Sequence, residues 1–322
     1  MDIENFIVIG GGLSGLSVAH YLKKRGMNTI IVEKDREVGG FYKYDEYPVN
    51  NVRGRDLISQ FAIDDDIMCN VVAFGYDKDG VWVASREGSR KIPGTVIAAN
   101  GFREKTALEL GIYGFRPSGV FYLYSAWELI NKGYSIGDKV IIYGFNHYSI
   151  SLASKLSKTC EKVVVTYTSG SLIHSLEEIA DMGVEVLKGG VTKILGSERV
   201  SSVMIDGREL KADTLILAEL SPWNQLGVEN IVGNAAMILE DPMKIVEASR
   251  IMAESLIEGG DPIEVLCDVP HIPHKVSKRV ARIILGVGVG VKLRVNGERI
   301  VVDESYPIVE LPSNSRVAIE VL

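Results

Sequence analysis

The sequence predicts an α/β fold of two Rossmann-like, three-layer dinucleotide-binding domains, the second inserted in the first, with a small C-terminal β-rich appendage. Three observations predict it. A complete strand–turn–helix–strand unit opens the chain over residues 5–41. The same pattern recurs, with an altered turn, over residues 139–166. Between them a β-rich run, Gly94 to Gly101, reads as a return of the chain into the first sheet. The expected boundaries are 1–120 with 219–262 for the first domain, 121–218 for the inserted one and 263–322 for the appendage.

The opening unit has the parts needed to hold a dinucleotide. Phe6 to Ile9 is an apolar run of the kind a strand buried on both faces needs. Gly10, Gly12 and Gly15 fall at G-x-G-x-x-G spacing. The first allows the tight turn, the second lets the backbone approach a pyrophosphate, and the third lets the helix pack closely on the sheet. The helix starting near Ser14 points its unpaired N–H groups and positive dipole end at the phosphates. Leu16, Ala19 and Leu22 recur at helical spacing, Lys23–Lys24–Arg25 sit in the last turn, and Gly26 ends the helix. Thr29 to Val32 makes the second strand. Glu33 follows it, roughly twenty residues past the second glycine, where a carboxylate accepts ribose hydroxyls and repels a 2′-phosphate. A glycine motif alone is common; strand, helix and acid together make this one specific.

Composition bounds the rest. A chain of 322 residues suggests about two domains with full cores. A net charge of −7 argues against nucleic acid, which needs a basic face. No apolar run reaches the length of a transmembrane segment. The first strand begins within a few residues, which leaves no room for a signal peptide. Cys69, Cys160 and Cys267 stand far apart and form no disulfide framework, metal-ligand spacing or C-x-x-C pair, so the expected setting is a reducing cytoplasm.

Further along, Gly39–Gly40 would let a loop pass close to a second phosphate or a ring system, although alone it reads as a plain turn. Arg53 to Phe61 predicts a short helix. Met68 to Tyr76 and Gly80 to Ser85 predict two strands joined at Asp77–Gly80. Residues 102–137 have loop character, apart from a helix over Ser125 to Lys132 with Ser125 as N-cap and Glu128 three residues on.

The second βαβ unit runs from Lys139 to Thr166. Gly144 matches the first glycine of the motif, but Asn146 and Ser149 stand where the second and third belong, and no acid ends the second strand. The fold repeats; the binding chemistry does not follow with it. Val184 to Leu187, a hairpin from Val203 to Arg208 and Thr214 to Ala218 complete the second sheet. A helix over Asp241 to Ile257 starts with Asp241–Pro242 as N-cap and first helical residue. From Ala281 onward the chain reads as short β runs, with Asn296–Gly297 a strong hairpin signal.

This plan resembles the two-dinucleotide-domain flavoproteins, in which the first unit binds FAD and the inserted one NAD(P)H. Ile97–Ala98–Ala99–Asn100–Gly101 resembles the family's strand ending in Ala-Thr-Gly, with Asn100 in place of threonine. Phe102–Thr106, Gly114–Val120 and Val232–Gly233–Asn234 resemble one branch, the FAD subunits of multi-subunit dye-linked dehydrogenases of the sarcosine oxidase alpha, proline dehydrogenase and hydrogen cyanide synthase types. The resemblance implies that Gly10, Gly12, Leu13, Ser14 and Gly15 hold the FAD pyrophosphate. Glu33, with Lys34 beside it, would take the adenosine ribose, and Val71 the adenine through its backbone. Gly39, Gly40 and Phe41 would lie along the flavin, with Ala99, Asn100, Gly101, Gly233 and Asn234 closing over the cofactor. It also implies a partner, either a second flavoprotein or electron-transfer subunit or a further copy of the chain. A stand-alone NAD(P)H-dependent reductase and a structural FAD subunit are the alternatives.

Other residues read as ordinary. His271–Ile272–Pro273–His274 predicts an extended surface loop before a metal site. His147 is expected to face solvent, or else to touch a bound anion. Asp64–Asp65–Asp66 reads as a solvated turn. Tyr42, Tyr44, Tyr47, Tyr122, Tyr124 and Trp127 fit a flavin face, a partner interface or plain core equally. No residue pair stands out as catalytic acid and base, as is usual where a cofactor carries the chemistry.

Overall fold

A computed structural model describes residues 5–61, 66–312 and 316–322. Asp64 and Asp65 of the acidic run lie outside the described residues; Asp66 accepts a hydrogen bond from Lys23 Nζ at 2.6 Å. The chain forms two compact units: unit 1 is Met1–Phe102 with Pro222–Leu322, and unit 2 is Arg103–Ser221.

In chain order, unit 1 begins with β1 (Asn5–Ile9), α1 (Leu13–Lys24), β2 (Asn28–Val32), α2 (Gly54–Phe61) and β3 (Ile67–Met68). A meander follows, β4 (Val72–Asp77), β5 (Gly80–Ser85) and β6 (Gly88–Pro93), and then β7 (Thr95–Ala98). The expected strand from Met68 to Tyr76 is in fact two. Asn70, at φ 57°, breaks it and turns the chain from the parallel sheet into the antiparallel meander. β1 takes the centre of its sheet, parallel to β2 on one side and β7 on the other, which is why Ile7 and Val8 are wholly buried.

Unit 2 follows with β8 (Phe102–Glu104), β9 (Tyr113–Gly114), β10 (Val120–Tyr122), α3 (Leu123–Asn131), β11 (Lys139–Tyr143), α4 (His147–Leu156) and β12 (Lys162–Tyr167). Then come α5 (Leu176–Asp181), β13 (Glu185–Lys188), β14 (Val191–Gly196), β15 (Val200–Ile205), β16 (Arg208–Lys211), β17 (Thr214–Leu217) and β18 (Leu220–Pro222). Its main sheet is parallel, in the order β10–β17–β11–β12–β13. Residues 103–120 belong to this unit because β9 pairs with β14 and β10 with β17. The stretch read as loop thus holds short strands, too brief to show a period. Ser125 is not the N-cap of α3: the helix starts two residues earlier, and Glu104 Oε1 accepts the Tyr124 N–H at 2.7 Å. An acid distant in sequence replaces the local cap.

The return to unit 1 runs through β19 (Asn230–Ile231), which extends the first sheet beside β7, and α6 (Pro242–Glu258). Asp241 caps α6 as expected, accepting Met243 N–H at 2.8 Å. The C-terminal β structure starts earlier than Ala281. It comprises β20 (Pro262–Cys267), β21 (His271–Ile272), β22 (Val276–Ser277), β23 (Arg282–Leu285), β24 (Lys292–Val295), β25 (Glu298–Val301), β26 (Ile308–Glu310) and β27 (Arg316–Val321). The Asn296–Gly297 turn joins β24 to β25, both residues at positive φ as a tight hairpin turn requires.

Candidate dinucleotide site

At the carboxyl end of the unit 1 sheet the chain turns from β1 into α1 through Gly10–Gly11–Gly12. Gly10 has φ 108°, and a Cβ there would lie 2.4 Å from Ala99 O, so this turn and the end of β7 touch backbone to backbone. A Cβ on Gly15 would lie 1.9 Å from Gly10 O, which seats α1 directly on the turn. Gly12 is different: nothing lies within 4 Å of its Cβ position. α1 starts there with no side-chain cap on its first-turn N–H groups, the arrangement that suits a phosphate.

Glu33 stands beside this turn and is only 6% exposed. Its Oε2 accepts Gly11 N–H at 2.6 Å and its Oε1 accepts Asp35 N–H at 2.8 Å. A carboxylate offers about four acceptor positions, which leaves room for ribose hydroxyls. Lys34 points away, ion-paired with Asp35 at 2.8 Å and largely exposed. Val71 is buried, and its N–H donates to Glu33 O at 2.9 Å. A cleft of about 730 Å³ opens beside it, lined in part by Arg36, Asn70, Ser85 and Arg90. Cys69 lies in that cleft, but burial, with Glu33, Glu37 and Asp35 adding to it, pushes its thiol up and keeps it protonated.

The paired glycines are more than a plain turn. Gly39 N–H donates to Gly11 O at 2.7 Å, and a Cβ on Gly40 would lie 3.4 Å from Gly12 Cα. Phe41 and Tyr42 follow, both buried and edge-to-face with ring centroids 6.0 Å apart. On the other side, Ala99 N–H donates to Ile9 O at 2.8 Å and Val232 N–H to Ala98 O at 2.9 Å. Gly233, at φ 63°, packs where a Cβ would overlap Ser14 Oγ at 1.7 Å. Asn234 is buried and accepts Leu239 N–H at 2.7 Å. Asn100 Oδ1 is buried with no hydrogen-bond partner, while Gly101 adopts φ 81°. The turn is thus met by the Glu33 carboxylate, by Gly39 and Gly40 and by the end of β7 at Ala99, while Gly233 packs on Ser14 at the start of α1. An open cradle over Gly12 and an orphaned acceptor at Asn100 fit a dinucleotide, since a ligand donor would relieve an unmet acceptor worth about 1–3 kcal/mol.

Sequence reasoning missed Ser249. Its Oγ donates within reach of Ile245 O at 2.8 Å and Ser14 O at 3.2 Å, tying α6 to the start of α1. Nothing in a helical run containing one serine signals that. Among the ambiguous aromatics, Tyr42 and Trp127 are core.

Unit 2 repeats the turn and fills it. Gly144 meets Ala218 O just as Gly10 meets Ala99 O, with the Cβ position again 2.4 Å away. Asn146, however, caps α4: its side chain accepts Ser149 N–H at 3.1 Å, its own N–H donates to Ser149 Oγ at 3.1 Å, and its Nδ2 donates to Ala218 O at 2.9 Å. The two residues replacing glycine thus satisfy the groups a pyrophosphate would use. Thr166 matches Val32, each accepting the N–H of the turn's first glycine, so Tyr167 rather than an acid stands at the ribose position. His147 is fully buried rather than facing solvent, because its Nδ1 lies 3.1 Å from His174 Nε2.

Residues 8–54 match the family model described as an NAD(P)-binding Rossmann-like domain. A ferredoxin–NADP reductase of Streptococcus agalactiae is 24% identical over 240 residues, covering 66% of this chain and 70% of its own. Ferredoxin–NADP reductase 1 of Lysinibacillus sphaericus is 24% identical over 294 residues, 80% of each chain. Among solved structures, an NAD-dependent persulfide reductase from A. fulgidus superposes with a TM-score of 0.62 at 16% identity, over 91% of this chain and 67% of its own. L-proline dehydrogenase from P. horikoshii does so with a TM-score of 0.56 at 18% identity, over 79% and 55%.

The fold is that of the FAD/NAD-binding reductases.

In this reductase fold, no helix among the described residues is long and apolar enough to cross a membrane. None of the described residues form a group of three or more His, Cys, Asp or Glu able to hold a metal ion. His271 and His274 lie with rings 5.4 Å apart, and burial pulls both imidazoles down from their ordinary value.

Proposed function

We propose that this chain is an FAD-dependent oxidoreductase that passes electrons between a flavin held in unit 1 and a separate protein partner. The contrast between Gly12 and Asn146 carries the proposal: one glycine turn is open to a pyrophosphate, and its repeat is closed by its own side chains. In this reading Gly10, Gly12, Leu13, Ser14 and Gly15 bind the pyrophosphate through backbone N–H groups. Glu33 orients the adenosine ribose and Val71 the adenine. Gly39, Gly40, Phe41, Ala99, Asn100, Gly101, Gly233 and Asn234 line the remainder of the cofactor and keep water from it. Bound FAD supplies the hydride and electron chemistry; the protein binds, orients and shields.

Partners and substrate extend the same reading. The likeness to an L-proline dehydrogenase supports a dehydrogenase of amino-acid or small-metabolite type, with this chain as one subunit beside a second flavoprotein or electron-transfer protein. A second reading, a stand-alone NAD(P)H-dependent reductase, is favoured by the relatives named ferredoxin–NADP reductase, which align with most of the chain. An anaerobic NADH titration of the FAD-loaded chain decides between them. A flavin absorbance untouched by NADH is the expected result. Stoichiometric bleaching moves the reductase reading to the front, and failure to take up FAD at all overturns both.

A further inference from the structure

The altered turn of unit 2 is covered by its own chain. His147 is the first residue of α4, and side chains lean toward a helix's N-terminus, so its imidazole extends over the place where an anion would sit. There it is fully buried, stacked on His174 with ring planes 14° apart. Phe145, in the turn itself, is also buried. Its ring meets that of Tyr167 at 5.2 Å, and a Cβ on Gly170 would lie 3.7 Å from it. The segment 167–175, from the end of β12 to the start of α5, therefore lies across residues 145–147. In a βαβ unit that holds a dinucleotide, the pyrophosphate and ribose occupy that ground.

The covering segment is held in place by a hydrogen-bonded series. Ser171 Oγ accepts the N–H groups of Ile173 and His174 at 3.1 and 3.0 Å. The Glu178 carboxylate lies 3.1 Å from His174 Nδ1 and can only accept, so Nδ1–H donates to it. His174 Nε2 then faces His147 Nδ1 at 3.1 Å, and the two rings share one hydrogen bond. Glu178 on α5 thus orients the His174 ring that holds the segment onto α4.

We propose that segment 167–175 is an autoinhibitory strap. It occupies the unit 2 cradle as a dinucleotide would, the His147–His174 bond is its latch, and release of the latch admits the ADP portion of a pyridine dinucleotide. The proposal deepens the reading of unit 2 given above and takes unit 1 as the FAD site when assigning the probe.

The test uses ADP-ribose as probe, with calorimetry on the FAD-loaded full chain. His174→Ala removes the latch, and Glu178→Gln, at a half-exposed position, removes only its support. His174→Ala is expected to bind ADP-ribose about tenfold more tightly than the unaltered chain, the scale of one or two hydrogen bonds, with Glu178→Gln shifted the same way by less. Wild-type affinity in both variants, with flavin content unchanged, overturns the proposal. Should His174→Ala not fold, Glu178→Gln alone decides, and unchanged affinity in it overturns the strap. Repeating the comparison in a Gly12→Val background, where both proteins are measured without FAD, separates the two sites. A gain that persists belongs to unit 2 and supports the strap, whereas a gain that vanishes belongs to unit 1 and overturns it without touching the FAD reading.

Discussion

Glu33 Oε2 and the Gly11 N–H stand 2.6 Å apart, so the acid at the end of β2 reaches back and holds the glycine turn that precedes α1. One side chain thereby shapes the phosphate cradle and presents the remaining carboxylate edge to a ribose. The turn is set before any ligand arrives, which lowers the ordering cost that binding has to meet.

Replacing Glu33 with alanine removes the acceptor of two amides, Gly11 and Asp35, close to a buried wall. Glu33→Ala is expected to lose about 1–3 kcal/mol of stability and most of its bound FAD. Glu33→Gln keeps one acceptor oxygen and should fall between. Melting temperature and the flavin-to-protein ratio check both; an alanine variant that keeps full flavin content removes Glu33 from the site.

The glycines of the motif separate folding from binding. Gly12→Val adds atoms to open space, so the variant is expected to fold with a near-normal melting temperature and take up no FAD. Gly15→Val drives a side chain into Gly10 O and should fail to give folded unit 1. Circular dichroism and flavin absorbance on the two proteins read the difference. FAD uptake by Gly12→Val is the outcome that sinks the proposed phosphate site.

The sequence carried the two βαβ units because their cues are local: an apolar run, glycines at fixed offsets and an acid at a strand end. The helix cap at Tyr124 was invisible because its acceptor, Glu104, is twenty residues upstream and no pattern joins them. The split at Asn70 was hidden by the alternating residues on either side, and only its positive φ separates β3 from β4. His147 was misjudged for a similar reason. A lone histidine in a turn looks solvated until the fold brings His174 onto it from beyond β12. The orphaned Asn100 oxygen belongs to the same class, since being buried without a partner is a property of packing.

Asn146 earns its place as a cap rather than as a ligand-binding residue. Asn146→Ala is expected to cost about 0.5–2 kcal/mol, the range for losing a helix N-cap, and to add no NADH binding while the strap stays closed. Chemical denaturation followed by far-ultraviolet circular dichroism gives the first quantity and calorimetry with NADH the second. A neutral effect on stability contradicts the capping role.

Glu219, next to the Gly144 turn, gives unit 2 a pH dependence of definite sign. Burial pushes its carboxyl up from the ordinary value of 4.5, and Lys105, with its Nζ 4.0 Å away, pulls only partly the other way. A raised folded-state pKa means that the folded chain holds this proton more tightly than the unfolded chain. The stabilisation is complete below the ordinary carboxylate value and is lost as pH rises through the raised one, where a buried charge must be carried. Glu219→Gln is uncharged throughout, so it should match the wild type in acid and exceed it near neutrality. Melting temperatures of the two proteins across this range test the sign. A glutamine variant that loses stability relative to wild type as pH rises would show that the Lys105 pair outweighs burial.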